Sequence, residues 1–279
     1  MSDSSKQTPI GVFDSGYGGL TVFRSIADRI PQYDYLYLGD NARAPYGNRS
    51  FETVYEYTLE CVQWFFKQGC PLVILACNTA SAKALRTIQQ IDLPKLDPAK
   101  RVLGVIRPSA ENIGVFTQSK KVGILGTKGT VTSGSYPKEI SNFYPDIQVY
   151  QQACPLWVPF IENGDYKSDG VDYYIRKDLE QLFARDSGID TLLLACTHYP
   201  LLEHKILKYL PEGVKLISQG PMVADSLAEY LQRHPELETI LSRGGNKSFF
   251  TTDAASDFEE HATTFFGEAV KAQHVHLEC

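Results

Sequence analysis

Residues 71–79 read Pro-Leu-Val-Ile-Leu-Ala-Cys-Asn-Thr. A short apolar run that ends in polar residues is typical of a strand buried on both faces of a parallel sheet, followed by a helix. Residues 191–200, Thr-Leu-Leu-Leu-Ala-Cys-Thr-His-Tyr-Pro, repeat the pattern, and Pro200 suits the first turn of a helix. The chain therefore carries two similar strand-to-helix turns, each marked by a cysteine, Cys77 and Cys196.

The rest of the chain alternates in the same way. Short apolar runs predict strands at 9–13, 35–38, 71–76, 101–106, 121–125, 191–195 and 214–217. Amphipathic stretches predict helices at 20–30, 50–68, 80–91, 134–143, 171–185 and 200–210. Residues 10–19 also resemble residues 122–130 in pattern, so two similar α/β halves are expected. Ligands of open α/β sheets bind beyond the carboxyl ends of the strands, where both cysteines fall.

Composition narrows the classes of function. The 279 residues include 27 Lys and Arg against 33 Asp and Glu, for a net charge of −6. This acidic balance argues against electrostatic docking on nucleic acid or anionic lipid. No apolar stretch is long enough to span a membrane, and the polar N-terminus lacks the apolar core of a signal peptide. The six cysteines have neither C-x-x-C nor zinc-finger spacing, so we expect reduced thiols in a cytoplasm and no metal.

The two cysteines are the first candidates for chemistry. A thiol at a helix N-terminus feels the positive end of the helix dipole, so we expect a lowered pKa for both thiols. The alternative is that each cysteine is simply a small buried residue. Two thiols from two halves suit a particular reaction, in which one removes a proton from one face of a carbon and the other returns a proton to the opposite face.

Neighbouring residues have two interpretations each. His198 could orient or help deprotonate Cys196, or it could form a helix-cap hydrogen bond. Asp14, in the turn Asp-Ser-Gly-Tyr-Gly-Gly (14–19), suits binding an ammonium group or assisting a base, with Ser15 as a hydrogen-bond donor; the alternative is a helix cap. Glu162 is either a polar partner at the cleft or a loop residue.

A polar loop follows the second predicted strand. It reads Asp-Asn-Ala-Arg-Ala-Pro-Tyr-Gly (40–47), with Pro45 and Gly47 fixing its turns. Backbone N–H groups at Tyr46 and Gly47 could bind a carboxylate. Cys61 and Cys70 flank a predicted helix, and we expect both to be packing residues.

Taken together, these motifs resemble the glutamate racemases of the aspartate/glutamate racemase superfamily. The resemblance rests on residues 13–19, on Asp40 with residues 45–47, on Ala-Cys-Asn-Thr-Ala (76–80) and on Ala-Cys-Thr-His-Tyr-Pro (195–200), and it runs from about residue 10 to residue 220. It implies a cofactor-independent enzyme that interconverts L- and D-glutamate and supplies D-glutamate for peptidoglycan. It also implies two Rossmann-like domains with mostly parallel sheets and the active site in the cleft between them. The domains would be 1–106 plus 218–279, with Asp14 and Cys77, and 107–217, with Cys196.

The resemblance also implies roles for matching residues. Cys77 and Cys196 would be the proton-transfer thiols, assisted by Asp14 and His198, and Glu162 matches the family's acid in a Pro-x-x-Glu-x-Gly stretch. The implied substrate-binding residues are Asp14, Ser15, Asp40, Pro45, Tyr46, Gly47, Asn78, Thr79, Thr127, Thr197 and His198. The sequence departs from the family at residues 105–109, where Arg107 and Ser109 replace the usual Glu and Gly. We expect this segment to form the hinge between domains.

The expected partner is the small-molecule substrate glutamate, with neither nucleic acid nor a membrane, and a homodimer is left open. Within the same class, an aspartate or hydantoin racemase is the alternative, since it shares the two-cysteine scheme. From other classes, a silent binding or inhibitory homologue and a cysteine hydrolase compete. Two intact cysteines argue against the silent homologue, and nothing in the sequence calls for an acyl-enzyme.

Overall fold

The structure is a computed structural model that describes residues 8–277. Within that range the strands are β1 (Ile10–Asp14), β2 (Tyr35–Gly39), β3 (Leu72–Leu75), β4 (Arg101–Gly104), β5 (Lys121–Gly126), β6 (Gln148–Ala153), β7 (Thr191–Ala195), β8 (Lys215–Ser218), β9 (Lys247–Thr251) and β10 (Ala272–His274). They form two sheets, a six-stranded one in the order β10-β9-β2-β1-β3-β4 and a four-stranded one in the order β6-β5-β7-β8. Every strand pairing described is parallel.

Helices connect the strands. They are α1 (Leu20–Arg29), α2 (Phe51–Lys67), α3 (Asn78–Lys83), α4 (Leu85–Thr87), α5 (Leu93–Leu96), α6 (Ile106–Asn112), α7 (Lys128–Ser133), α8 (Ser135–Phe143), α9 (Trp157–Glu162), α10 (Gly170–Phe183), α11 (Glu203–Leu207), α12 (Gln219–Arg233), α13 (Pro235–Glu238) and α14 (Ala255–Phe266). Short 3₁₀ turns cover Asn41–Arg43, Ile113–Val115, Asp165–Lys167 and Tyr199–Leu202. No described helix is both long and apolar enough to cross a bilayer.

The two halves share one strand order, as the internal resemblance predicts. The first four strands lie in the order β2-β1-β3-β4, and the next four lie in the matching order β6-β5-β7-β8. β1, β3 and β7 are buried along their whole length, which explains their continuous apolar runs. The order reverses direction between β1 and β3 and between β5 and β7, so each half has a switch point where a ligand can bind.

Several predicted elements need correction. The helix expected at 80–91 is broken into α3, α4 and a π-helical turn at Ile88–Asp92. A π-helical turn bonds residue i to residue i+5 instead of i+4, and the spacing of apolar residues does not reveal this change. The helix expected at 200–210 is a 3₁₀ turn followed by the short α11. Three strands were not predicted: β6, which is polar and only partly buried at a sheet edge, and β9 and β10, which extend the first sheet beside β2.

Candidate active site

Cys77 and Cys196 line the same cavity, of about 50 Å³, and each is only 5% exposed. Cys77 caps α3, where its Sγ accepts a hydrogen bond from the backbone N–H of Ala80 at 3.4 Å and donates to Ser15 Oγ at 3.4 Å. Cys196 directly follows β7. The cavity is lined by Ser15, Ala44, Pro45, Tyr46, Gly47, Asn48, Cys77, Asn78, Thr79, Thr127, Lys128, Cys154, Pro155, Val158, Pro159, Glu162, Cys196, Thr197 and His198.

The expectation of a lowered pKa is wrong for Cys77. Burial and, after it, the nearby Asp14 carboxylate raise the pKa of this thiol to about 12, although the hydrogen bonds with Ser15 and Ala80 oppose the shift. The cost of placing a thiolate away from water therefore exceeds the stabilisation by the start of α3. At neutral pH the resting Cys77 holds its proton.

Asp14 lies behind the cavity wall rather than on it. The side chain is fully buried and accepts a hydrogen bond from the backbone N–H of Gly16 at 3.0 Å. Burial raises the pKa of its carboxyl, whereas the positive charge of His198 and the backbone N–H groups of Gly19 and Gly16 lower it. The helix-cap interpretation is wrong, because α1 is capped by Gly19 without a side-chain hydrogen bond. Asp14 is thus a buried carboxyl close enough to Cys77 to act on the pKa of its thiol.

His198 joins Cys196 to Glu162. Its Nε2 lies 3.0 Å from Glu162 Oε1, and its Nδ1 lies 4.0 Å from Cys196 Sγ. Burial lowers the pKa of His198, but the interactions with Cys196 and Glu162 outweigh it and raise that pKa to about 10. His198 makes no cap hydrogen bond to the following 3₁₀ turn, so the cap interpretation is wrong. A protonated imidazolium therefore stands beside the Cys196 sulfur.

Gly18 allows the turn after β1 to lie directly against the turn after β7. A Cβ at Gly18 would lie 2.3 Å from His198 Nδ1 and 2.4 Å from Thr197 Oγ1. Thr21 Oγ1 also donates to the carbonyl oxygen of Thr197 at 2.8 Å. The turn after β1 is thus in direct contact with the turn after β7, and no side chain fits between them.

The loop after β2 forms one side of the cavity through Pro45, Tyr46 and Gly47. Asp40 does not line the cavity: it is fully buried and accepts hydrogen bonds from Arg43 Nε at 2.7 Å, from Thr252 Oγ1 at 2.8 Å and from the Tyr46 hydroxyl. The structure therefore places Asp40 where it holds the loop in shape.

Thr79, Thr127 and Asn78 also line the cavity. Thr79 Oγ1 and Thr127 Oγ1 are 3.0 Å apart across the two halves, and Thr127 also caps α7 by accepting from the backbone N–H of Thr130 at 3.2 Å. Asn78 is fixed by Tyr136 and Gln219, with oxygen–oxygen and nitrogen–oxygen distances of 2.6 Å. Residues with hydroxyl and amide groups, contributed by both halves, thus line the same cavity as the two thiols.

Cys154 also lines the cavity and, like the two other cysteines, directly follows a strand. Because that strand, β6, is polar, the sequence predicted neither the strand nor a place for Cys154 in the site. The five cysteines of the described range are buried and unpaired; Cys61 lies inside α2 rather than beside it, and Cys279 falls outside that range. No group of three or more His, Cys, Asp or Glu within residues 8–277 could hold a metal ion.

Comparisons with known proteins identify the family of the chain. Residues 10–227 match the family described as Asp/Glu/Hydantoin racemase. A glutamate racemase of Geobacter metallireducens is 41% identical over 92% of each chain. The crystal structure of glutamate racemase isoform RacE1 from Bacillus anthracis has a TM-score of 0.88 at 37% identity, over 98% of each chain. That of Francisella tularensis glutamate racemase, solved in complex with D-glutamate, has a TM-score of 0.86 at 31% identity, over 98% of this chain and 99% of that one.

The matches extend over nearly the whole chain and confirm both the predicted fold class and the resemblance read from the cysteine motifs. The chain belongs to the Asp/Glu/hydantoin racemase family and, within it, to the glutamate racemases.

Proposed function

We propose that this protein interconverts L- and D-glutamate by two-base proton transfer between Cys77 and Cys196. The observation that carries the proposal is the pair of buried thiols, one from each half, at a single narrow cavity. Glutamate is favoured over aspartate or hydantoin as the substrate because the chain matches glutamate racemases over nearly its full length.

In each direction one sulfur acts as a thiolate and the other as a thiol. The thiolate takes the proton from the α-carbon, and the electron pair of the C–H bond is delocalised into the adjacent carboxylate. The opposite thiol then donates its proton to the other face of the carbon, which leaves a thiolate there. The two cysteines exchange protonation states, so the reverse reaction starts from the product state without a redox step or a cofactor.

The surroundings of each thiol suit one of these states. The imidazolium of His198, held by Glu162 at 3.0 Å, places a positive charge 4.0 Å from the sulfur of Cys196. Burial and Asp14 favour the neutral thiol at Cys77, with a pKa of about 12. Starting from this arrangement, Cys196 is the base and Cys77 is the acid. Deprotonation of Cys77 for the opposite direction requires the positive charge of the substrate's ammonium group near Asp14 and Cys77.

Substrate binding is assigned to the polar groups around the cavity. The hydroxyls of Thr79, Thr127 and Thr197 and the amide of Asn78 would hold the α-carboxylate, whose negative charge grows as the proton leaves. The backbone of Tyr46 and Gly47 and the hydroxyl of Ser15 would bind the second carboxylate. Pro45 shapes the wall, whereas Asp40 would act by holding the loop.

The remaining expectations belong to the same proposal. We infer the domain division 1–106 plus 218–279 and 107–217, with residues 105–109 at the hinge. The product D-glutamate would supply peptidoglycan synthesis in the cytoplasm. A homodimer is the one oligomeric state considered for the protein.

The test is to incubate the protein with single enantiomers of glutamate and of aspartate, without pyridoxal phosphate, and to follow optical rotation. Rotation that decays to zero from either enantiomer of glutamate, and stays constant with aspartate, is the expected result. Decay with aspartate only would show that aspartate, and not glutamate, is the substrate. No decay with either amino acid would refute the proposed activity.

A further inference from the structure

Behind Cys77, three side chains form a ring of hydrogen bonds. Asn78 Nδ2 donates to Gln219 Oε1 at 2.6 Å, Gln219 Nε2 donates to the hydroxyl oxygen of Tyr136, and that hydroxyl donates to Asn78 Oδ1 at 2.6 Å. All three residues are at most 3% exposed. Each group donates to the next in one direction around the ring.

Ser109 and the backbone at Val105 select this direction. Gln219 Nε2 donates to Ser109 Oγ at 2.7 Å, and Ser109 Oγ donates to the carbonyl oxygen of Val105 at 2.9 Å. The same carbonyl oxygen lies 3.5 Å from Gln219 Nε2. Because a carbonyl can only accept, the Gln219 amide must turn its nitrogen toward Val105 and its oxygen toward Asn78. Asn78 must then turn its own nitrogen toward Gln219.

This orientation decides what Asn78 offers to the cavity that it lines. One Nδ2 hydrogen binds Gln219, and no residue within 8–277 accepts the other. The Oδ1 atom is occupied by the Tyr136 hydroxyl. The free hydrogen-bonding group beside Cys77 is therefore an N–H donor, which stabilises the negative charge that develops on a carboxylate as the α-proton leaves.

The ring and Ser109 join helices that belong to both sheets and to the two connections between them. Asn78 begins α3 beside the first sheet, and Tyr136 lies in α8 beside the second. Ser109 lies in α6, between β4 and β5, and Gln219 begins α12, between β8 and β9. Ser109 is also the residue at which this chain departs from the glycine expected from the family resemblance.

We propose that Tyr136, Gln219 and Ser109 are positioning residues that hold the Asn78 amide with its N–H toward the substrate. This inference rests on the proposed racemisation of glutamate. Its test is a double-mutant cycle of Tyr136→Phe and Asn78→Ala, read as kcat and KM for glutamate. The Tyr136→Phe change removes only the hydroxyl and keeps the ring volume.

We expect Tyr136→Phe to lower kcat about 10- to 100-fold, with KM changed less than about 3-fold, because the affected donor acts mainly in the transition state. In the Asn78→Ala background the same change should have almost no further effect, since Tyr136 acts through Asn78. The matched control is Tyr144→Phe, which removes a hydrogen bond of 2.7 Å to the carbonyl oxygen of Glu111 on the same helix as Ser109. It should leave kcat unchanged.

Multiplicative effects of the two changes would overturn the inference, because a purely structural loss adds to the loss of Asn78. The side-chain amide signals of Asn78, observed by NMR in the ligand-free protein, give a readout that does not depend on activity. They should shift in Tyr136→Phe and stay constant in Tyr144→Phe. Unchanged Asn78 signals in Tyr136→Phe would refute the ring. If the signals shift in Tyr136→Phe but the wild-type protein does not racemise glutamate, only the proposed function is refuted.

Discussion

Glu162→Gln tests the electrostatic partnership around His198. Glu162 Oε1 lies 3.0 Å from His198 Nε2, and the pKa of His198 is raised to about 10. A hydrogen bond between charged groups contributes about 1.5–3 kcal/mol, and one pKa unit corresponds to about 1.4 kcal/mol. Neutralising Glu162 should therefore lower the pKa of His198 by about 1–2 units, to about 8–9.

The sign of the effect follows from which form is active. His198 places a positive charge beside the Cys196 sulfur only while it is protonated, so activity that depends on this charge in the direction that uses Cys196 as base should fall as pH rises through the pKa of His198. In Glu162→Gln this alkaline limb of kcat/KM should move to lower pH by about 1–2 units. The assay is circular dichroism of glutamate between pH 6 and 11, starting separately from each enantiomer.

A matched control is Glu229→Gln, which removes the same charge from an exposed position of α12. It should leave the alkaline limb in place. If Glu162→Gln lowered activity equally at every pH, without moving the limb, Glu162 would act by shaping the cavity, and the reasoning about the charge of His198 would be refuted.

Three further predictions follow from the site. Asp14→Asn should lower kcat by at least about 10-fold and change KM less, because the buried carboxylate assists proton transfer at Cys77; steady-state kinetics in which only KM rises would make it a binding residue. Gly18→Ala should destabilise the protein by about 1–3 kcal/mol in urea unfolding, since the added Cβ would lie 2.3 Å from His198 Nδ1; unchanged stability would contradict the close contact of the two turns. Activity should survive dialysis against a chelator and treatment with carbonyl reagents, and loss that an added metal reverses would overturn the cofactor-free mechanism.

The sequence predicted the elements that are buried on both faces. β1, β3 and β7 have continuous apolar runs because neither face meets water, and the two cysteines directly follow such runs. β6, with Gln148, Gln151 and Gln152 in a sheet-edge strand, has no such run and was missed. Cys154 was missed with it as a residue of the cavity wall.

The electrostatics of the site depend on contacts that sequence spacing does not contain. Glu162 and His198 are far apart in the chain, and only the packing of α9 against the turn after β7 brings them within hydrogen-bonding distance. The depth of burial at Cys77 is likewise a tertiary property, and it reverses the shift expected from a helix N-terminus. The position of Asp40 behind the wall, bound to Arg43 and Thr252, follows from the fold of its loop.

The most direct test of the central claim compares Cys77→Ser and Cys196→Ser with the wild type in D₂O, starting from each enantiomer of glutamate. If the thiols serve opposite faces, wild-type turnover should place deuterium on the α-carbon of the inverted product, with little in unreacted substrate. Each single variant should lose racemisation, because a hydroxyl is far less acidic than a thiol. Each should still eliminate HCl from one enantiomer of a β-chloro analogue of glutamate, and the two variants should prefer opposite enantiomers. Racemisation near the wild-type rate by either variant would contradict the two-base mechanism.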